Sequence, residues 1–165
     1  LENEVKEGLS TLVDGFAVAE YLKKNNHDLF KILTETKVRF RFVDKTIILE
    51  NWGELIELDQ EKRIKQVRYS TRLDYVPAFE KIKLKKFYKA RKLIANLYAS
   101  KKFEIRFKLE KGDLLMMDNH RLLHGRTAYD PSEGKRYLKG CYIDHDSTEG
   151  KLRYLERKFK LKWKK

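Results

Sequence analysis

A chain of 165 residues that is 41% hydrophobic, with nine Phe, nine Tyr and two Trp, is long and apolar enough for one domain with a hydrophobic core, which excludes a disordered class. No apolar run approaches the roughly 20 residues of a membrane span, and a lone Cys141 excludes an internal disulfide framework and suits a reducing compartment. The formal charge of +13 arises from 38 basic residues mixed with 25 acidic ones, so it predicts a lysine-rich surface rather than a nucleic-acid footprint.

In chain order, a Gly-containing turn precedes Ser10 and Asp14, either of which suits a helix N-cap. Phe16, Val18, Ala19 and Leu22 then share one face of a helix over residues 16–24. Asn25-Asn26 breaks it, and a short helix over 28–33 buries Phe30 and Leu33. From Val38 the period changes to two, with Val38, Phe40 and Phe42 alternating with Arg39 and Arg41. Further strands are expected over 46–49, 54–58 and 64–69, separated by turns at 51–53 and 59–62, as in an antiparallel meander. Val76-Pro77 leads to the longest helix, whose stripe is Phe79, Ile82, Phe87, Ala90, Ile94 and Leu97. Strands are expected again over 103–109, 113–118 and 137–143. A closing helix over 148–159 turns Leu152 and Leu155 inward, and a Lys-rich tail begins at about residue 158. Cys141, inside an apolar run, reads as a small buried core residue. The whole is a single domain over 1–165, strands first, with helices laid over a sheet. The acidic, polar start LENEVKEG lacks a signal-peptide pattern, which predicts a cytoplasmic protein.

The chemistry concentrates between Gly112 and Asp146. His124 ends one apolar run, and Arg136 stands twelve residues later at the start of another. Two short strands joined by a polar loop would bring one metal-binding nitrogen and one fixed cation into a single cavity. A guanidinium is a planar, two-pronged donor for a carboxylate. Read without a site, Arg136 is a surface arginine after a Gly-Lys turn, with Lys135 beside it also at the surface. His120 reads as structural, and His145, between Asp144 and Asp146, as part of a solvated loop. The four histidines are His27, His120, His124 and His145, and two positions after them stand Leu29, Leu122, Arg126 and Ser147. The chain therefore has no His-x-Asp or His-x-Glu.

The strings DNHRLLHGRTAYDP and KRYLKGCYIDHD, followed by Leu152-Arg153, resemble the carboxy-terminal half of the γ-butyrobetaine dioxygenase family. That group includes trimethyllysine dioxygenases and, more distantly, taurine dioxygenase. All are oxygenases dependent on iron(II) and 2-oxoglutarate. The resemblance implies an α+β fold, a double-stranded β-helix or jelly roll with packed helices, here without its amino-terminal strands. It gives His124 as an iron ligand and Arg136 as the partner of the distal carboxylate of 2-oxoglutarate. Ser10 matches the hydroxyl of a Gly-Gly-x-Ser/Thr turn near that carboxylate, although Glu7 and Leu9 replace the first glycine and the following acid. Tyr142 matches a tyrosine of an aromatic cage for a trimethylammonium group, which ring faces hold in place of hydrogen bonds. It reads equally as an inward strand aromatic. Ser70-Thr71 stands where the family carries an Asn-Asn pair that meets the substrate carboxylate, so the substrate is expected to be γ-butyrobetaine or a related betaine or amino acid. Arg126 has no assigned role beyond bracing its loop. Ascorbate as an accessory reductant and a homodimer are compatible with the resemblance; a nucleic-acid or membrane partner is not expected. The family's His-x-Asp falls upstream of the stretch aligned with Leu1, so the chain is expected to be a carboxy-terminal piece, inactive alone. The alternatives are a non-catalytic scaffold and, further off, a basic nucleic-acid module.

Overall fold

A single carboxylate sets the first helix of the computed structural model, which describes residues 2–161. Asp14 Oδ1 accepts from the backbone N–H of Phe16 at 3.0 Å and of Ala17 at 3.3 Å, two donors that a helix start otherwise leaves unpaired. Helix α1, Gly15–Asn25, follows and buries Val18, Ala19 and Leu22. Asp14 is thus the cap, and Ser10 lies inside the preceding strand. The Asn26 N–H closes α1 on the Leu22 carbonyl at 2.8 Å, and α2, His27–Glu35, buries Phe30 and Leu33. The third helix, α3 at Lys81–Tyr98, buries Phe87, Ala90, Ile94 and Tyr98.

Ile82 is the exception to the expected stripe, being 71% exposed. It precedes Phe87 by five residues, which places it roughly 140° around the helix from that side chain. Phe79 does reach the core from just before the helix, with its ring 6.2 Å from that of Phe87.

Ten short strands form four antiparallel sheets among the described residues. They are β1 (Glu2–Asn3), β2 (Ser10–Asp14), β3 (Lys37–Val43), β4 (Ile48–Glu54), β5 (Ile56–Leu58), β6 (Ile64–Val67), β7 (Asp74–Tyr75), β8 (Glu104–Phe107), β9 (Leu122–Arg126) and β10 (Arg136–Tyr137). The sheet orders are β8-β2-β9, β4-β3-β7, β5-β6 and β1-β10. The core lies where α1, α2 and α3 meet β5, β6 and the inner side of β2, around Leu22, Leu33, Ile56, Phe87 and Ile94. The result is a mixed α+β architecture with antiparallel sheets.

Pairing overrides local turn chemistry at 51–53. Asn51, Trp52 and Gly53 lie within β4, opposite Phe40, Arg39 and Val38, and the turn falls earlier, where Asp44 and Ile47 bond. The strand expected over 113–118 does not form, and of the one over 137–143 only Tyr137 is paired. Among the described residues no strand pairs with these segments, and Leu114, Met116 and Ile143 stay exposed. A strand without a partner leaves its ladder unmade. Cys141 is accordingly exposed rather than core. The closing helix is α4, His145–Phe159, longer than expected and with no buried residue; Leu152 is exposed and Leu155 only half-buried. Residues 162–165 of the Lys-rich tail lie outside the described residues.

Candidate functional site

The segment from Glu2 to Asp14 holds the predicted site residues in relation to one another. At one end Asn3 pairs with Arg136, and at the other β2 pairs with β9, setting Leu12 opposite His124 and Ser10 opposite Arg126. Between these ends Gly8 N–H donates to the Ala128 carbonyl at 3.2 Å, Leu9 N–H to Thr127 Oγ1 at 2.9 Å, and Thr127 N–H to the Leu9 carbonyl at 2.9 Å. His124 and Arg136 therefore do not share a two-stranded unit, as the spacing suggested. Their strands belong to separate sheets, joined by one amino-terminal arm that runs past both.

Register decides which side chains share a face. Directly opposed residues in an antiparallel pair point to the same side, and successive residues alternate. Val13, with Leu123 opposite, joins the core under the helices. Ser10, Leu12, His124 and Arg126 consequently stand on the other face, with Ile105 and Phe107 of β8 beside them. His124 is exposed there, and Ser10 is the sole buried serine among the described residues, at 9%.

Arg136 and Arg126 meet at Tyr129. The Arg136 guanidinium lies 5.8 Å from the Tyr129 ring centre, and that of Arg126 lies 4.3 Å from the same ring. Arg136 Nε donates to the Gly8 carbonyl at 3.2 Å. Gly8 has φ +73, and a Cβ there would stand 3.2 Å from Tyr129 Cβ and 3.3 Å from Arg136 Cδ. The glycine is needed for both its backbone and its closeness to the arginine. Arg126 and Tyr129 are the residues the sequence undervalued. An Arg at each end of a short loop carrying an aromatic was the available signal.

The other predicted residues fall elsewhere. Ser70 sits in the loop between β6 and β7, where its Oγ accepts from the N–H groups of Arg72 (3.2 Å) and Leu73 (3.0 Å). Its carbonyl accepts from Arg91 of α3 at 3.1 Å, and Arg91 also holds the Asp74 carboxylate at 2.7 Å. Tyr142 is 84% exposed and outside any strand, so it is not an inward strand aromatic. Two surface clefts near α2 are lined by residues such as His27, Phe30 and Glu57, and by Asn26, Asp28 and Lys89. Neither is lined by His124, Arg136, Ser10, Ser70 or Tyr142.

The turn into β9 is anchored on both sides. Gly15 N–H donates to the Arg121 carbonyl at 3.0 Å, and Val67 N–H to the His120 carbonyl at 2.9 Å. The Arg121 guanidinium meets Asp14 Oδ2 at 2.7 Å. This guanidinium, opposed in part by burial and aided by the cap N–H groups, holds the Asp14 carboxyl below its ordinary value. On the same turn, Asp118 and His120 gather with His145 of α4, so that one ligand atom from each lies within 4.8 Å of the others. His145 is thus the first residue of a helix stacked against His120, and not part of a solvated loop.

Non-haem iron(II) oxygenase sites use two imidazoles and one carboxylate, with positions left open. The face bearing His124 offers one such imidazole among the described residues. Asp14, whose register falls on the same face, is engaged by the helix cap and Arg121. The chain's fit to iron at His124 is therefore one ligand of three. What the face does offer is an imidazole, a buried hydroxyl and the Arg126 guanidinium, and Arg126 shares the Tyr129 ring with Arg136 of the neighbouring sheet.

Residues 1–142 match the model of the taurine catabolism dioxygenase TauD, TfdA family. The chain is 32% identical over 157 residues to a gamma-butyrobetaine dioxygenase of Pseudomonas sp. (strain AK-1), covering 95% of this chain and 41% of that protein. It is 33% identical over 163 residues to the gamma-butyrobetaine dioxygenase of Homo sapiens, covering 96% of this chain and 42% of the relative. With a trimethyllysine dioxygenase of Meyerozyma guilliermondii the identity is 31% over 160 residues, 94% of this chain and 39% of the relative. The chain spans about two fifths of the length of these relatives. It belongs to the TauD/TfdA family of dioxygenases.

Proposed function

We propose that the chain is the carboxy-terminal part of an iron(II)- and 2-oxoglutarate-dependent dioxygenase that hydroxylates γ-butyrobetaine or a related betaine or amino acid, as in carnitine biosynthesis. The single observation that carries this reading is the joint placement of His124, Ser10, Arg126 and Arg136 by the amino-terminal arm. On this reading β8-β2-β9 is one wall of a double-stranded β-helix, and the open face of that wall lines its interior.

Each residue then has a task that its chemistry suits. His124 supplies one neutral imidazole to iron(II), and residues outside these 165 supply the other ligands. Iron so held would activate oxygen against a substrate C–H bond while 2-oxoglutarate is decarboxylated to succinate. Arg136 offers a two-pronged, permanently charged donor for the distal carboxylate of 2-oxoglutarate. Its bond to the Gly8 carbonyl and its contact with Tyr129 restrict its rotamers, so less freedom is lost on binding. Ser10, buried opposite Arg126, donates its hydroxyl to the same carboxylate. Tyr142 provides one wall of a trimethylammonium cage once further chain covers it. Ser70, whose oxygen already accepts two N–H groups, keeps its O–H proton for a substrate carboxylate.

Turnover by the whole protein tests this. Given iron(II), 2-oxoglutarate and γ-butyrobetaine, it should release succinate, and His124→Ala should abolish the release. Undiminished succinate from His124→Ala would overturn the ligand assignment. No binding of iron or 2-oxoglutarate by the whole protein would favour a non-catalytic scaffold.

A further inference from the structure

We infer that Asp118, His120 and His145 form a second metal site, separate from the His124 face, that takes a zinc(II)-class cation and fastens α4 to the body of the protein. Their ligand atoms lie within 4.8 Å of one another, and the donor set of two imidazoles and a carboxylate matches the nitrogen and oxygen ligands that zinc accepts. The rings of His120 and His145 stand 4.6 Å apart at 12°. Stacked rings aim their in-plane lone pairs in parallel, so the rings must swing out of this stack for one nitrogen of each to face a shared ion.

Half of the site is built in advance. Asp118 Oδ1 accepts from the His120 N–H at 2.9 Å, and the Asp118 carbonyl accepts from the N–H of Leu122 at 2.8 Å. The His120 carbonyl is tied to Val67, the Arg121 carbonyl to Gly15, and the Arg121 side chain to Asp14. Asp118 and His120 are thus fixed on a braced turn at the edge of the core. The third ligand comes from the first residue of α4, a helix with no buried residue, whose Leu152, Tyr154 and Phe159 are all exposed. Packing gives α4 little reason to stay in place, whereas a coordinate bond from His145 would hold it. Glu149 lies one turn along the same helix, its carboxylate 3.6 Å from His145 Nδ1, within ion-pair range. Its other oxygen, Oε2, is held by Arg153 at 2.5 Å on the next turn.

Zinc(II) titrated by calorimetry into the protein carrying His124→Ala tests the site without involving the iron ligand. Stoichiometric binding is expected, weakened at least roughly tenfold by His145→Ala and by His120→Ala, since even residues behind the ligands cost that much. Zinc should also slow tryptic cleavage within α4, at Lys151 and Arg153, and should fail to do so in His145→Ala. Because His145 is exposed at a helix start, its variant keeps the fold, which circular dichroism checks. Absent binding, or equal affinity in His145→Ala, would overturn the inference. Loss of turnover in the oxygenase reaction with this site intact would count against the proposed function alone.

Discussion

Gly15→Ala sets two effects of similar size against each other. Gly15 begins α1, and by helix propensity alone alanine there should stabilise by up to about 1 kcal/mol, through a less disordered unfolded chain and a better helix former. The packing says otherwise. A Cβ on Gly15 would stand 2.4 Å from Val67 Cγ2 and 2.8 Å from the Arg121 carbonyl oxygen. Neither neighbour can yield cheaply. Val67 is β-branched, 3% exposed and held in β6, while the Arg121 oxygen is backbone already bonded to Gly15 N–H at 3.0 Å. Forcing one methyl into such a junction costs about 1–3 kcal/mol. The net expectation is a loss of roughly 1–2 kcal/mol, read as a lower urea midpoint with unchanged slope. Gly150→Ala is the matched control, because nothing lies within 4 Å of its would-be Cβ inside α4. There the same chemical change should leave stability equal or raise it by up to about 1 kcal/mol. Gly15→Ala as stable as the parent would refute the view that α1, β6 and the turn into β9 meet at a contact too tight for a methyl.

Two further predictions concern groups in and beside that core. Asp14 keeps its charge below its ordinary value of 3.8, chiefly through Arg121, so its stabilisation is fully present above about pH 4 and is lost as pH falls through the depressed value. Asp14→Asn retains a capping oxygen but not the charge, so it should flatten the loss of urea stability between about pH 5 and pH 2; an unchanged acid slope would show that the ion pair contributes nothing. Tyr98 is 7% exposed, and its hydroxyl has no hydrogen-bond partner among the described residues, with burial pushing its ionisation well above the usual phenol range. Tyr98→Phe should therefore keep the edge contact with Tyr69 at 5.3 Å and raise stability by about 1 kcal/mol in urea unfolding, whereas a loss would mean that the hydroxyl is satisfied.

Helices were legible because their signals are local. Asp14 caps the start of α1, the Asn26 break divides α1 from α2, and Phe87, Ala90 and Ile94 fall inside α3; each signal acts within a few residues. Strands depend on partners the sequence does not name. The alternation of Val38, Phe40 and Phe42 found a partner in β4, which then drew in Trp52 and Gly53 against their turn preference. The apolar runs at 113–118 and 138–143 found none among the described residues, so Cys141 and Tyr142 lie open. The site was half legible for the same reason. His124 and Arg136 stood out by type and spacing, but the arm from Glu2 to Asp14 that relates them is more than a hundred residues away in sequence. The meeting of His120 with His145 likewise depends on where α4 docks, which no local pattern reports.

On the proposed function, His124 and Arg136 serve one small molecule, with the imidazole at its metal-bound end and the guanidinium at its far carboxylate. The succinate assay, run on the whole protein carrying Arg136→Ala with 2-oxoglutarate and γ-butyrobetaine varied separately, tests it most directly. The 2-oxoglutarate requirement should rise by roughly tenfold or more, the worth of a charged hydrogen-bonded pair, while the betaine requirement barely moves. Equal shifts in both would place Arg136 in the scaffold and contradict the claim.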